Sequence, residues 1–593
     1  MARRTKVAIL GGGIGGLSAA HELAELGDDA FEIDVYEASE AVGGKAKSQF
    51  LADTGREGRL DLPGEHGFRF FPAWYSHLPD VMQRIPRPGG GTVADNLVGC
   101  TEMGMAEVGA RQVYKLKRHR PSAVGEFVDM LAAVGDLFEG TGISTMEMGR
   151  FVLSMLGFAC ASDERRRDVY ENRSFFEFIR GATYSERFRR YINSSRFMVA
   201  MDAQRGSACT IGNKVLQLIL DFFRPKGAND RVLNGPTATR WLDPWEAYLR
   251  SRGVRFHFGR PVSALEVDVS RRRIAGARIG STGERIEADH FIASLPLEPM
   301  ALLVGDDLAG LDASLMEFKR ARVHELTAWM VGAQYFLRRD VTICDGHIAF
   351  PDAPWALSAI SQAQFWTRGQ EEAFSALYGD GSVAGVLSVD VSDWSTTAPG
   401  LSKTAAQCAS KEEVLDEVWR QIKQGLNGTK EELLRDEDLV RAHLDTGIQF
   451  TAEGVRNASP LLVHPPGSWY QRPLAAPEGV QNLFFAADFV QTGTDLATME
   501  GANEAARLAV NGLLAREGRS ARATLFPTTE DAGPLMRKIK AWDRKSWLEQ
   551  RRALPNLPKP PGPFRDGEGP SLDEVKRYQA ELEAAARALP DLP

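Results

Sequence analysis

The chain has 593 residues, with 71 Lys and Arg against 79 Asp and Glu and a formal net charge of -8, so it lacks the basic footprint that a nucleic-acid partner requires. Hydrophobic residues make up 43% and charged residues 25%, which excludes a largely disordered chain, and the length exceeds what one core serves, so two domains with an appendage are expected. Five cysteines (Cys100, Cys160, Cys209, Cys344 and Cys408) are odd in number and include no C-x-x-C, which argues against a disulfide framework or a zinc site and for a reducing, cytoplasmic setting.

From the N-terminus, Lys6 to Leu10 is a short apolar run with β-branched members. Five glycines follow between Gly11 and Gly16, and then Leu17, Ala20, Leu23 and Ala24 recur at helical spacing. The glycines break what would otherwise pass for the apolar region of a signal peptide. No window reaches 18 uninterrupted apolar residues, so no bilayer-spanning helix is expected. Phe31 to Tyr36 predicts a second strand ending in Glu37, and strand, tight turn, helix and strand make one βαβ unit. From about Thr92 to Asn234 the pattern changes to aromatic-rich helices, among them 123–138, 174–180 and 211–223. Strands at Arg255 to Phe258, Ser263 to Val267 and Arg285 to Leu295 suggest a return to the first domain. The stretch 306–464 mixes strands such as Val386 to Val391 with a helix at Lys411 to Leu426, and a strand at Asn482 to Ala486 with a helix at Glu500 to Leu514 closes the fold.

The expected architecture is therefore α/β. A discontinuous Rossmann-like domain is drawn from 1–91, 245–305 and 465–515, and a mixed α+β substrate domain from 92–244 and 306–464. A C-terminal extension, 516–593, holds a Pro-rich run at 555–563 and an amphipathic stretch at 571–589; it reads as a tail that wraps the body or is partly mobile.

Gly11, Gly13 and Gly16 form G-x-G-x-x-G between the first strand and the first helix. The first glycine permits the turn, the second lets backbone approach a pyrophosphate, and the third lets helix pack on strand. Ile14 and Gly15 complete the loop. Glu37, followed by Ala38, ends the second strand where its carboxylate can accept hydrogen bonds from both ribose hydroxyls, favouring an adenosine without a 2'-phosphate. Gly43-Gly44-Lys45 comes directly after. A nicotinamide enzyme has no need of this second glycine pair with a cation, whereas in a flavoprotein they serve the pyrophosphate or ribityl part of FAD.

These segments, with Leu483-Phe-Phe-Ala-Ala-Asp488 and Ala497-Thr-Met-Glu-Gly-Ala502, resemble the flavin amine oxidase and phytoene desaturase superfamily across most of residues 1–515. Gly64-Glu-His-Gly-Phe-Arg-Phe-Phe71, Pro354 to Leu357, Gln362 to Trp366 and Ser388 to Trp394 are more similar to the plant-type desaturase branch than to monoamine oxidases. The resemblance implies FAD as cofactor. It assigns Asp488 to the ribityl or pyrophosphate part, and the helix start at Thr498, Met499 and Ala502 to the N1/O2 edge of the flavin ring. It assigns Val262 to the adenine, and Gly64, Glu65, His66 and Gly67 to the loop against the isoalloxazine. Lys45 stands where the family usually has Arg, and Ala487 where it usually has Gly.

His66 and Arg69 lie in that loop, where either can position substrate or move a proton, or serve structure alone. The flavin-facing lysine of many amine oxidases has no counterpart that the sequence reveals. The basic run Lys115, Lys117, Arg118, His119 and Arg120 and the cluster Arg165 to Arg167, with the apolar stretch Phe151 to Cys160 nearby, leave peripheral membrane contact open beside a plain solvated basic face. His257, His290, His347 and His464 show no metal-ligand spacing and are read as structural. The leading expectation is an FAD-dependent oxidoreductase acting on an isoprenoid or other lipid-like substrate by desaturation, dehydroxylation or isomerisation, with hydride transfer at flavin N5. The alternatives are an amine or amino-acid oxidase that produces peroxide, and a flavin-bearing binding subunit.

Overall fold

The computed structural model describes residues 3–553 apart from 28, 110–112, 119–141, 194–195, 200, 222–229, 322, 369–371, 429–431 and 528–533. The helix expected at 123–138 and the Pro-rich and amphipathic segments after 553 lie outside the described residues.

In chain order, β1 (Thr5–Leu10), α1 (Ile14–Leu26) and β2 (Phe31–Tyr36) form the expected βαβ unit. Then come β3 (Leu62–Glu65), α2 (His77–Arg84), β4 (Glu102–Met105), β5 (Tyr114–Lys117), α3 (Thr145–Cys160) and α4 (Ala208–Asp221). The middle of the chain supplies β6 (Arg255–His257), β7 (His290–Ala293), β8 (Val331–Leu337), β9 (His347–Phe350), β10 (Leu357–Ser361) and β11 (Gly385–Val391). It ends with α5 (Lys411–Leu426), β12 (Leu439–Leu444), β13 (Leu483–Phe485), α6 (Met499–Arg516) and α7 (Pro534–Ala553).

One sheet has the order β6-β2-β1-β7-β13 with every pair parallel. Its central strands are buried on both faces, which is why Val7 to Leu10 and Phe291 to Ala293 read as unbroken apolar runs. β2 and β7 leave β1 on opposite sides, so the glycine loop after β1 sits where the strand order reverses, the place where ligands bind in open α/β sheets. The predicted strand Arg285 to Leu295 is two elements: Arg285–Ile286 joins an antiparallel ladder, and β7 joins the parallel sheet. Asp289 lies between them, with its N–H on the Lys6 carbonyl.

The second sheet runs β12-β8-β11-β10-β9-β4-β5. One face of it packs on α5, which Ser410 caps by accepting the Glu413 N–H. Val414, Val418, Ile422 and Leu426 recur at helical spacing toward that core. On the same side the Tyr335 hydroxyl donates to the Leu415 carbonyl, and its ring stacks on Trp419.

The beginning of the C-terminal extension is firmly attached. Residues 519–527 run back along α6, where Asn511 exchanges two hydrogen bonds with the Ala523 backbone. α7 then docks beside α3 through Trp547, which is buried and donates to Asp168 at 2.9 Å. Asp543 pairs with Arg165 at 3.0 Å in the same contact.

This contact corrects the reading of the basic cluster. Arg165 and Arg166 are buried, Arg166 donating to the Phe158 carbonyl and to Asn213, and Arg167 pairs with Asp495. Arg118 is buried as well, paired with Asp230. These arginines are internal braces, neither a solvated face nor a lipid-binding one. Lys115 and Lys117 remain exposed on β5, while His119 and Arg120 lie outside the described residues. Among the described residues no helix is long and apolar enough to cross a membrane, and all five cysteines are free.

Candidate cofactor and active site

The glycines after β1 divide by geometry into those the fold needs and one that it does not. Gly11 has a φ of +107°, in the region that favours glycine. A Cβ on Gly15 would run into the Ala486 carbonyl, and one on Gly16 into the Gly11 carbonyl. Gly13 is different: its φ is -73°, and a Cβ there would meet nothing closer than the Gly44 Cα at 3.9 Å. Gly13 also stands at the N-cap of α1, where no side chain caps the helix. The backbone N–H groups of Ile14 and the residues after it are thus left for a ligand, as at dinucleotide sites.

The second glycine pair lies against the first. Gly43 donates to the Gly12 carbonyl at 2.8 Å, and Gly43 and Gly44 both have positive φ. Glu37 reaches the same place from the end of β2, accepting the Gly12 N–H at 2.7 Å and the Ser39 N–H at 2.8 Å. The next strand edge joins them: Glu37 donates its N–H to the His257 carbonyl and accepts from Arg260 N–H. Exposed Ala38 and half-buried Val262 flank this corner. The Lys45 ammonium turns to the Pro460 carbonyl. Arg69 donates to the Lys45 carbonyl at 2.8 Å and to that of Ala46 at 3.3 Å, so in this structure it braces the second glycine loop.

Asp488 follows β13, half-buried, with no hydrogen bond to the described residues. Beyond it, α6 starts at Met499, and the Thr498 hydroxyl caps it by accepting the Gly501 N–H at 3.1 Å. Thr498, Met499 and Ala502 keep partial exposure while Glu500, Gly501 and Asn503 are buried, so the first turn of α6 has one open side. Glu500 is spent on structure, accepting the Ser76, His77 and Leu78 N–H groups at the start of α2. A cavity of about 230 Å³ adjoins this turn, lined by Trp74, Lys214, Gln217, Thr494 and Phe526 among others.

The loop from Gly64 to Gly67 is held on the second sheet. Gln334 takes both backbone groups of Glu65 at 3.1 Å, and Gly332 donates to the His66 carbonyl at 2.9 Å. The Glu65 side chain is buried toward Ser48 and Thr237, and burial pushes its carboxyl up. His66 Nδ1 pairs with Asp445. Burial raises the Asp445 carboxyl, but contacts with His66, Gln49 and the Gly447 N–H outweigh that and hold it below the usual carboxylate range. His66 Nε2 is buried without a hydrogen-bond partner. Gly64 lies against His443: a Cβ there would stand 2.6 Å from the ring.

Sequence reasoning missed Asp390 as a site residue. It sits on β11 facing this loop, 5% exposed, with one oxygen lacking a partner. Burial pushes its carboxyl up to about 7, against the pull of Arg69 and the Phe68 N–H. A second missed group is the buried cluster before α6. There Asp495, at a φ of +45°, pairs with Arg472 and Arg167 while Glu171 lies beside them. Burial and the nearby Asp495 raise Glu171 to about 7, whereas the two arginines hold Asp495 well below its usual range despite its burial. Cys209 completes a trio with Glu171 and Asp495 that is close enough to hold a metal, but arginines already occupy Asp495. The four histidines read as structural do have structural partners or surroundings: His257 pairs with Asp34 and stacks on Tyr36, His290 pairs with Glu517, and His347 and His464 are enclosed in the protein.

Residues 14–514 match the family model described as flavin containing amine oxidoreductase. The chain belongs to that family. It is an FAD-dependent oxidoreductase, and the uncapped start of α1, the open Gly13 and Asp488, which makes no hydrogen bond to the described residues, suit such a cofactor. Tryptophan 2-monooxygenase of Agrobacterium vitis is 38% identical to this flavoenzyme over 111 residues, a match spanning 17% of this chain and 14% of the relative's length. Cyclohexylamine oxidase from Brevibacterium oxydans IH-35A superposes with a TM-score of 0.53 at 15% identity, covering 87% of this chain and 100% of that one. A putative protoporphyrinogen oxidase from Exiguobacterium sp. 255-15 gives 0.54 at 15%, covering 86% and 99%. At these identities the two structures share the fold.

Proposed function

We propose that this flavoenzyme removes a hydride from a C–H bond of a small, largely apolar organic substrate, in the manner of the lipid-directed desaturase branch. The observation that carries the reading is the surface around the Gly64 to Gly67 loop. There Phe68 and Phe70, both partly exposed, rest on the buried Val232, Ile360 and Phe365, so the loop sets apolar side chains beside its polar ones, which supports a substrate with an apolar body. In this reading the segments 1–91, 245–305 and 465–515 form the cofactor domain, although its core also takes in Leu233, Trp241, Leu242, Leu308, Phe318 and Leu326 from outside those bounds. The segments 92–244 and 306–464 form the substrate domain.

Gly11, Gly13, Ile14, Gly15, Gly16, Glu37, Ala38, Gly43, Gly44, Lys45, Val262 and Asp488 would hold the adenosine and pyrophosphate side of FAD. Gly64 to Gly67 with Thr498, Met499 and Ala502 would hold the ring. When bound, FAD supplies a two-electron acceptor for hydride. The chain's own part is to bind and orient the substrate and to exclude water, with the α6 N-terminus favouring negative charge beside it.

A second reading, an amine oxidase, draws on the family description and on the polar atoms left unpaired around Asp390. Anaerobic mixing separates the two. Bleaching of the flavin by isoprenoid or long-chain lipid substrates supports the first, and bleaching by small amines with peroxide released in air supports the second.

A further inference from the structure

Asp390 stands in the middle of a polar patch that the fold leaves unsatisfied. Its cross-strand partner on β10 is Ser358, so the two side chains share a face of the sheet. Ser358 Oγ, Ser392 Oγ, one Asp390 oxygen and His66 Nε2 are all buried without hydrogen-bond partners. Buried polar atoms are rarely left so, because each costs free energy unless something arrives to pair with it. Ser358 faces Asp390 across the sheet, Ser392 follows Asp390 two residues on, and His66 belongs to the loop whose backbone is held on β8. Gly332, opposite Asp390 on β8, holds the His66 carbonyl. A Cβ on Gly67 would come within 2.8 Å of the Asp390 oxygen, so glycine keeps that approach clear.

We propose that Asp390 is a catalytic proton acceptor, and that the substrate therefore carries an N–H or O–H group on the carbon that is oxidised, attached to an otherwise apolar body. The inference rests on the hydride-removal reading above and narrows its substrate class to amphiphilic amines or alcohols. As the C–H bond gives up its hydride, the neighbouring N–H or O–H bond gives its proton to the Asp390 carboxylate. The C–N or C–O bond becomes double, and both electrons go to the family's flavin. Ser358 and Ser392 supply the remaining hydrogen bonds to the same polar group. Burial places the carboxyl near neutrality, where it can both take and release a proton. Arg69 is the charged group that acts on it most strongly and opposes that rise. Glu65, His66 and Asp445 are the other ionisable groups on the elements around it, while Ser358, Gly332 and Gly67 bring no charge.

The test uses the full-length flavin-loaded protein and D390N, an isosteric change, with circular dichroism and flavin content checked first. Infrared difference spectra between pH 5 and pH 9 should show a protonated carboxyl band in the parent that D390N lacks; an unchanged spectrum would contradict the inference. Anaerobic bleaching is then followed with geraniol, geranylamine and the hydrocarbon squalene. The expected result is bleaching by the alcohol or the amine, at a rate that rises with pH through about 7. In D390N it should be at least about 100-fold slower and independent of pH in that range. Equal rates in D390N, or bleaching by squalene alone, would overturn the role of Asp390 while leaving hydride removal intact. No bleaching of the parent protein by any of the three would instead overturn the hydride-removal reading on which it rests.

Discussion

The Glu37 carboxylate and the Gly12 N–H are joined by a 2.7 Å hydrogen bond, which ties the end of the second strand to the glycine loop; in the function proposed above, the same carboxylate accepts from the ribose of FAD. Replacing Glu37 by Gln keeps the size of the side chain and removes its charge. FAD affinity of the stripped protein should fall by about 10- to 100-fold, the cost of weakening one charged hydrogen-bond site. Titration of the apoprotein with FAD, followed by fluorescence quenching, measures it.

The loop glycines should separate cleanly in mutagenesis. Gly13→Ala adds a methyl group that the protein accommodates, since the nearest atom is 3.9 Å away and φ is ordinary. It should fold with the parent's Tm and fail to retain FAD. Gly16→Ala drives a Cβ into the Gly11 carbonyl, so it should lose several degrees of Tm even without cofactor. Equal flavin retention by Gly13→Ala and the parent would remove the pyrophosphate role of that position.

Stability should fall at both ends of the pH range, for opposite reasons. His347 and His464 are held neutral, pushed down by burial to about 4 and about 3. Their contribution is complete above the ordinary histidine range near 6.5 and is lost as pH falls toward those values. Asp390 is raised by burial to about 7, so its contribution is complete below the ordinary aspartate range and is lost as pH climbs to 7. Substituting Asn for Asp390 should therefore stabilise the protein at pH 8 relative to pH 4 by on the order of 2 to 4 kcal/mol. Urea unfolding of parent and variant at the two pH values gives the comparison.

Trp547 anchors α7 beside α3, and truncating it to Ala should free that helix at a cost of roughly 3 kcal/mol to its docking. Proteolysis should then cut within 534–553 while the flavin spectrum stays unchanged, because the polar partners seen for α7, among them Ser162, Glu164, Arg165 and Asp168, are not residues assigned to FAD. Loss of flavin together with the helix would show that the extension supports the cofactor.

The part of the fold legible in the sequence was the part written locally. β1, α1 and β2 announce themselves through a buried apolar run, a glycine turn and helical spacing within about 30 consecutive residues. α5 is found at the expected Lys411–Leu426 because a Ser cap and an apolar stripe mark both its ends and its face. Asp390 was hidden because a strand reading Val-Asp-Val looks apolar, and only the tertiary fold brings Gly67 and Arg69 opposite it. Arg165 to Arg167 misled for a related reason. Three adjacent arginines suggest a surface, while their partners Asp543, Asn213 and Asp495 are remote in the chain.

The most direct measurement is the absorption spectrum of the purified full-length protein from about 300 to 550 nm, the window in which flavins absorb, with identification of the chromophore released by heat. The account predicts a flavin spectrum and release of close to one FAD per chain. A colourless protein that stays folded and takes up no added FAD would contradict it, and would mean that Gly13, Glu37 and Asp488 serve some other ligand.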